Sequence, residues 1–543
     1  MPKTILSYEH YIELRVSGIG YQEILSNDYI GNKPSAIYVN KEVQILRDRK
    51  VYVQSINHII KMEWDYRLTD FTYMFSNVKN IKYVRMYYIS GNKCNMSYMF
   101  YNCTNLEEFI YDTDYYYRYE ISDTISMFYN CSSLTYFSFN KLFMNNYQPA
   151  CYWDYENYRC SNYDYDYDYR NMSYMFYNCQ KLANISTLNE IAFIKDMKGM
   201  FYNCISLTSI DFTKFKTNKD NREYADLSFI FYNCKKLSIF YLDKSFYVKD
   251  MNNMFYNCIS LASINIDNFY SQQYNYYINT SRLFYNCYNL NNLIGEFQYL
   301  YINDSRELFY NCTSLNNQIT VKINNINNNV NINMSSMFYN CITLYNIYIY
   351  SYDNSYPLYP TDLHSMFYNC ISLESITIQY INTRKAQNMS YMFYNCVKLK
   401  SFNGYYNSEN YLLTVEKRTM KGMFQNCKTL TSFLWPQYFS TKRVEIMWNM
   451  FKGCSALISL DLFYFDTSQV TDMESMFEEC SNLNILSLTS FKTDNVQYMN
   501  RMFYNCKSLT FLNFSTITSK SLGTMRQMFY NCSSLQYLNL YSL

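Results

Sequence analysis

Apolar and polar residues alternate along this chain in a pattern that repeats. The string Met-Phe-Tyr-Asn-Cys, or a near variant, recurs with its aromatic at Phe75, Phe100, Phe128, Phe176, Phe201, Phe231, Phe255, Phe284, Phe309, Phe338, Phe367, Phe393, Phe424, Phe451, Phe477, Phe503 and Phe529, 17 copies in all. Apart from one gap of 48 the steps run from 24 to 31 residues, and the last three are each 26. A fixed period in this range marks a solenoid, in which no unit can bury its apolar face alone and each shares it with its neighbours.

The columns are read by counting from each Phe. Five residues before it stands Asp, Asn or Thr in 15 of 17 copies, for example Asp70, Asn95, Asp196, Asp250, Asn333, Asp472 and Thr524. Such residues favour a helix N-cap. Met, Ile or Leu precedes the Phe in every copy, often with another Met three residues earlier, as in Met473, Met476 and Phe477. That i, i+3, i+4 set predicts one buried helical stripe. Two residues after the Phe comes Asn in 15 copies and Gly453 in one, the residue types of a left-handed helix stop. A helix of about two turns is expected.

Beyond it the period changes to two. The sixth position is Leu in 16 copies and Ile81 in the other, the ninth is apolar in 16 of 17, and the eleventh in 13 of 17. The tenth, between them, is apolar in only 6 copies. This alternation predicts a short strand with one wet face. The expected fold is therefore an α/β solenoid, leucine-rich-repeat-like, with one short helix and one short parallel strand in each of about 17 repeats. Stacked, the strands would form one continuous parallel sheet, on the order of 80 Å long.

Residues 1–69 lack the repeat and contain Gly18, Gly20, Gly31 and Pro34. They read as an N-terminal cap for residues 70–543, because an open sheet edge invites pairing with another molecule. The gap of 48 holds a Tyr/Asp-rich insertion at about 145–170, with the run Asp164-Tyr-Asp166-Tyr-Asp168. It reads as an exposed loop, with cation or ligand contact as the alternative. No C-terminal cap is visible after the last strand, which offers a route to end-to-end self-association.

The segment from Cys454 to Leu540, with SLDLFYFDTSQVTDMESMFEECSNLNILSL, resembles the leucine-rich repeats of the BspA-like surface protein family, specifically its 26-residue DUF285 type. The resemblance covers about residues 70 to 543 through Asp-Met-x-x-Met-Phe-x-x-Cys-x-x-Leu-x-x-Leu-x-Leu. It implies a leucine-rich-repeat solenoid that binds other proteins or cell surfaces. This chain departs from the pattern in placing Tyr after the Phe in 13 copies.

Composition narrows the chemistry. The chain has 10 Gly, 6 Pro and no glycine-rich phosphate loop, which argues against a nucleotide site. With 47 basic and 45 acidic residues there is no field to attract nucleic acid. No run of about 18 apolar residues is present to insert into a membrane. The amino terminus MPKTILSYEHYIEL breaks its apolar residues with Lys3, Glu9 and Glu13, so it lacks the apolar core of a secretory signal. The expected location is cytoplasmic, with the cell surface as the alternative from the family resemblance.

Sixteen of the 19 cysteines share one column, from Cys103 to Cys532. Equivalent side chains in stacked coils point the same way and cannot pair, and no Cys-x-x-Cys spacing offers a zinc site, so they read as small buried hydrophobes. Cys151 and Cys160 are close enough in sequence to bridge, and only outside the cytosol. The Asp column could suggest calcium, yet it admits Asn and Thr, which capping accepts and a charge-driven site does not. The sequons at Asn95, Asn171, Asn333 and Asn388 fall in this column and read first as caps. The Tyr row after each Phe reads as packing between neighbouring helices, with a binding stripe as the alternative. The three histidines, His10, His58 and His364, lie far apart, and His364 falls in the predicted helix of its repeat. No nucleophile, base and orienting group assemble, so the expectation is a non-enzymatic protein-binding scaffold with no cofactor and no metal. Its partner-binding residues are expected in the tenth-position row: Arg85, Asp211, Tyr241, Asn265, Tyr348, Asn403, Asp461, Ser487, Asn513 and Asn539.

Overall fold

The computed structural model describes residues 10–540 except 57, 88–89, 113–120, 140–150, 155–156, 161–169, 186–193, 216, 218–223, 243–244, 272–276, 316, 324–330, 352–356, 380, 382, 406–417, 435–440, 515–517 and 519. The chain forms two compact units, Met1–Leu261 and Ala262–Leu543. Each is a leucine-rich-repeat β-solenoid of stacked coils.

The predicted helix is absent. Among the described residues the only helical pieces are three single 3-10 turns, Phe212–Lys214, Phe297–Tyr299 and Thr383–Lys385. In its place each of the 17 copies, all described at this point, runs through two consecutive tight turns. The coil at Phe367 shows why. The amides of Leu363, Ser365, Phe367 and Asn369 donate to carbonyls of the next coil, at Asn388, Ser390, Met392 and Tyr394, over 2.8–2.9 Å. The intervening amides of Met366, Tyr368 and Cys370 instead donate three residues back, to Leu363, Ser365 and Phe367, at 3.1–3.2 Å. Donors thus alternate between the neighbouring coil and their own, whereas an α-helix sends every donor four residues back within one segment.

That alternation needs a left-handed residue at every fourth position. Two residues before the Phe, φ is positive in all 17 copies, at 52° for Ser365, 57° for Tyr391 and 58° for Gly422. Two residues after it, φ is positive again in every copy, at 61° for Asn369 and 63° for Glu479. The Asn column was read for the right backbone conformation but the wrong element. The Asp/Asn column likewise does not cap helices. Its side-chain oxygens accept the backbone N–H two residues on, as in Asp70 to Thr72 (2.8 Å), Asn95 to Ser97 (2.9 Å) and Asp472 to Glu474 (2.8 Å). These Asx turns open the double turn. The sequon residues Asn171, Asn333 and Asn388 are used in the same way.

Two parallel strand sets flank the turns, where a single continuous sheet was expected. In the first unit, Ile81–Tyr87 and Glu108–Asp112 carry the predicted wet-face alternation, and Tyr136–Phe139 extends the sheet with Ser138 buried. His10–Val16 pairs antiparallel with Ile81–Tyr87 on one side and Ile59–Trp64 on the other, with Leu14 opposite both Val84 and Ile60. On the other flank, short strands from Leu68–Asp70 to Phe246–Asp250 form a second parallel set, in which Asp196, Asp226 and Asp250 lie in register. In the second unit the wet-face strands fall into separate sheets: Ser263–Asn265 with Asn292–Ile294, a four-stranded set from Asn317–Ile323 to Ser401–Tyr405, and a five-stranded set from Ser432–Leu434 to Tyr537–Asn539. A second set there includes Ile278–Asn279, Ile302–Asp304, Asn331–Asn333 and Tyr359–Asp362.

The core is a bundle of side-chain columns. Met, Phe, Cys and Leu of successive copies up to the one at Phe503 are buried, and burying each large side chain contributes about 1.5–3 kcal/mol. The Phe rings stack at 5.1–5.8 Å between centroids, as along Phe309, Phe338, Phe367, Phe393, Phe424, Phe451 and Phe477. Column cysteines donate their S–H to the Phe carbonyl of the preceding coil, for instance Cys396 to Phe367 at 3.1 Å. No column cysteine is in a disulfide, and burial pushes the thiols of Cys370 and Cys454 up to about 12. Cys151 and Cys160 are directly opposed in the hairpin Cys151–Asp154/Asn157–Cys160, inside the predicted insertion. The Asp164–Asp168 run lies outside the described residues.

Candidate functional site

The strand face is built by the alternation seen in the sequence. In the five-stranded sheet Leu460, Leu486 and Leu512 point into the core while Asp461, Ser487 and Asn513 are exposed. Its strands are in register through Ser459, Ile485, Phe511 and Tyr537. Hence Ile485 (68% exposed), Phe511 (51%) and Tyr537 (46%) form an uncovered apolar row beside the polar one. Phe511 and Tyr537 stack at 4.6 Å. Large exposed apolar patches on soluble proteins commonly mark interaction sites. The signal was present in the sequence as apolar residues two before the tenth position, out of phase with the core, and the tenth-position reading passed over them.

The predicted row is not one surface. Asp461, Ser487, Asn513 and Asn539 come together on the five-stranded sheet, with Asn513 opposite Asn539. Tyr348 and Asn403 flank Thr377 on the four-stranded sheet. Asn265 sits opposite Ile294, and in the first unit Asp211 sits opposite Tyr241. Arg85 is opposite Ile110 and bonds the carboxylate of Asp112 at 2.5–2.7 Å. Three of the ten have local backbone work: Asp211 accepts from Thr213 (3.1 Å), Asn265 from Asp267 (2.9 Å) and Asp461 from Phe463 (2.9 Å).

The turn side carries a second regular surface. Tyr101, Tyr129, Tyr177, Tyr202, Tyr232 and Tyr256 stack at 4.3–4.8 Å with interplanar angles of 1–15°. Tyr285, Tyr310, Tyr339, Tyr368 and Tyr394 repeat this in the second unit at 4.4–4.6 Å. The row therefore packs coil on coil, with rings stacked between turns where packing between helices was expected. Burial, then the adjacent phenols, push the hydroxyls of Tyr129 and Tyr368 up to about 12. Beside the rings runs an amide ladder in which each Asn donates to the Asn of the preceding coil, such as Asn130 to Asn102 (2.7 Å) and Asn340 to Asn311 (2.9 Å). His364 lies in a turn, where its Nδ1 is 3.1 Å from the Ser390 carbonyl oxygen.

Residues 225–341, 318–431 and 418–540, together more than half of the chain, match the family model for "Mycoplasma protein of unknown function, DUF285". The chain belongs to the DUF285 family. Residues 66–152 and 97–227 of this DUF285 chain also match the model for the "BspA type Leucine rich repeat region (6 copies)". Among solved structures it is similar to a leucine-rich repeat protein from Bacteroides ovatus ATCC 8483, at 16% identity over 87% of this chain and 99% of that one, with a TM-score of 0.42. A leucine rich cell surface protein from Faecalibacterium prausnitzii A2-165 is 15% identical over 87% of this chain and 94% of that one, with a TM-score of 0.31. No curated protein matches the chain. Among the described residues no helix is long and apolar enough to cross a membrane, and no three His, Cys, Asp or Glu are grouped to hold a metal ion.

Proposed function

We propose that this DUF285 chain is a non-enzymatic scaffold that binds a protein partner through the exposed strand face, centred on Ile485, Phe511 and Tyr537 and edged by Asp461, Ser487, Asn513 and Asn539. The observation that carries the reading is the uncovered apolar row in a sheet whose other face packs Leu460, Leu486 and Leu512 into the core. A centre of apolar and aromatic side chains with a polar rim is the ordinary anatomy of a protein interface. Arg85, Asp211, Tyr241, Asn265, Tyr348 and Asn403, each on a separate sheet from this centre, are the further contact positions of the proposal. Residues 1–69 serve as the cap, a role supported by the pairing of His10–Val16 along Ile81–Tyr87.

The test replaces Ile485, Ser487 and Phe511 together by Lys. All three side chains are exposed, so the unfolding midpoint stays in place while partner capture is lost. Capture unchanged with the fold intact removes this face as the binding surface.

A cell-surface adhesin is the second reading, favoured by the BspA-type match over residues 66–227. Protease treatment of intact cells separates it from an internal scaffold, since only the surface form is cut. Self-association through the outer edge of Tyr537–Asn539 is part of the proposal, supported by the exposure of Leu538 and Leu540. Sedimentation at rising concentration measures it.

A further inference from the structure

The insertion between the Phe128 and Phe176 coils holds two cysteines that the repeat does not use, Cys151 and Cys160. The chain has 19 cysteines. The other seventeen are in no disulfide, and all of them except Cys532 are buried. Oxidants in solution therefore meet a core that hides its thiols and an insertion that sets two of them in one hairpin.

The register of that hairpin fixes how the two cysteines meet. Asp154 is opposite Asn157, Trp153 opposite Tyr158, Tyr152 opposite Arg159 and Cys151 opposite Cys160. Only two residues separate Asp154 from Asn157 in sequence. A non-hydrogen-bonded pair there would need those two adjacent residues to bond each other, so Asp154 and Asn157 are a pair that exchanges both backbone N–H···O bonds. The two kinds of pair alternate along an antiparallel ladder. Trp153/Tyr158 is then non-hydrogen-bonded, Tyr152/Arg159 hydrogen-bonded and Cys151/Cys160 non-hydrogen-bonded. In a non-hydrogen-bonded pair the Cα atoms approach to about 4.5 Å, inside the span of about 4.4–6.8 Å that a disulfide accepts.

The hairpin also lacks other support of the kind the coils have. Among the described residues its sheet has no third strand. A lone two-stranded hairpin is marginal in water, and covalent closure is the common remedy where burial is insufficient. We propose that Cys151 and Cys160 form a cross-strand disulfide that closes this hairpin when the chain meets a disulfide oxidant. With glutathione disulfide, one cysteine thiolate attacks a sulfur and expels the first glutathione, and the second cysteine then displaces the other. One S–S bond forms as one breaks, the two cysteines are oxidised, and their two protons end on the two glutathione thiols. A reducing compartment reverses the exchange, so the hairpin is held closed only in oxidising surroundings.

The experiment equilibrates the reduced full chain with glutathione and an excess of glutathione disulfide under native conditions, quenches with acid, unfolds the chain and alkylates every free thiol. Seventeen alkylated thiols of the 19 are expected, with Cys151 and Cys160 missing. Trypsin cuts after Arg159, between the two cysteines, so their peptides should travel together until a reductant is added. In Cys151→Ser the remaining Cys160 should carry glutathione instead. All 19 thiols alkylated in the parent, or Cys151 and Cys160 each capped by glutathione, overturns the proposal. A second chain moves the pair one step along the ladder, with Cys151→Ser, Tyr152→Cys, Arg159→Cys and Cys160→Ser. Its ring is two residues shorter, which by loop entropy alone leaves the oxidation constant within about twofold. The hydrogen-bonded site should instead lower it by about tenfold or more. Equal constants for the two chains overturn the assignment to this register.

Discussion

Within the second unit two neighbouring stretches of the same coil solve one packing problem differently. From Phe284 to Asn395 the outer turn columns are Tyr and Asn, stacked and hydrogen-bonded from coil to coil. From Phe424 to Glu479 the same two columns read Gln425/Asn426, Lys452/Gly453 and Glu478/Glu479. The backbone does not respond: φ stays positive at Asn426 (64°), Gly453 (75°) and Glu479 (63°), and the Phe stack runs through unbroken. What changes is how the outer columns are satisfied. Glu478, whose side chain is 2% exposed, bonds Arg501 at 2.5 Å and Lys452 at 3.3 Å. Burial raises its carboxyl, but hydrogen bonds from Arg501 and Ser475 and the Lys452 charge outweigh that and hold it below the ordinary glutamate range. The comparison teaches that the double turn is specified by the buried column and the coil-to-coil backbone ladder, leaving the outer columns free to carry rings or charges.

If so, the core column should be equally intolerant in both stretches. Phe338→Ala and Phe477→Ala should each cost about 3–5 kcal/mol, read from denaturant unfolding, and a large difference between them would break the equivalence. The largest outer effect should come from Glu478→Ala, about 1–3 kcal/mol, because it removes the carboxylate that Arg501 and Lys452 share. Its pH signature has a definite sign. With the folded carboxyl depressed, its stabilisation is present above the unfolded value of about 4.3 and fades as pH falls below it. Unfolding midpoints at falling pH for the parent and Glu478→Gln should converge.

The ladder stretch should fail at the opposite end of the scale. Folded phenols raised to about 12, at Tyr368 there and at Tyr129 in the first unit's ladder, stabilise fully below the unfolded value of about 10, and that contribution is lost as pH climbs through 12. Phenolate absorbance during alkaline titration should lag behind free tyrosine and then appear together with unfolding. A smaller change, Asn340→Ala, removes ladder bonds to Asn311 and Asn369 and strains a left-handed backbone, for about 1–2 kcal/mol. Asn340→Gly relieves the strain and should cost less, as Gly453 already indicates. Smallest of all, Tyr339→Gln should stay within about 1 kcal/mol, measured by the same unfolding curves.

The period, the buried identity of Met, Phe, Cys and Leu, and the wet strand face were all legible because each depends on burial repeated at fixed spacing, which a single sequence records directly. The exposed apolar row at Ile485, Phe511 and Tyr537 was legible as well, as hydrophobes at a position the core does not use. The helix was not. Apolar residues at spacings of three and four fit either a helix or two tight turns. What decides between them is where Leu363, Ser365, Phe367 and Asn369 send their amide protons. Those acceptors lie about 25 residues away in the next coil, at Asn388 to Tyr394. The sequence by itself therefore determined that the chain stacks and what it buries. Only the tertiary structure decided the path of the backbone between buried positions, because the hydrogen bonds that fix that path exist only once a second coil lies against the first.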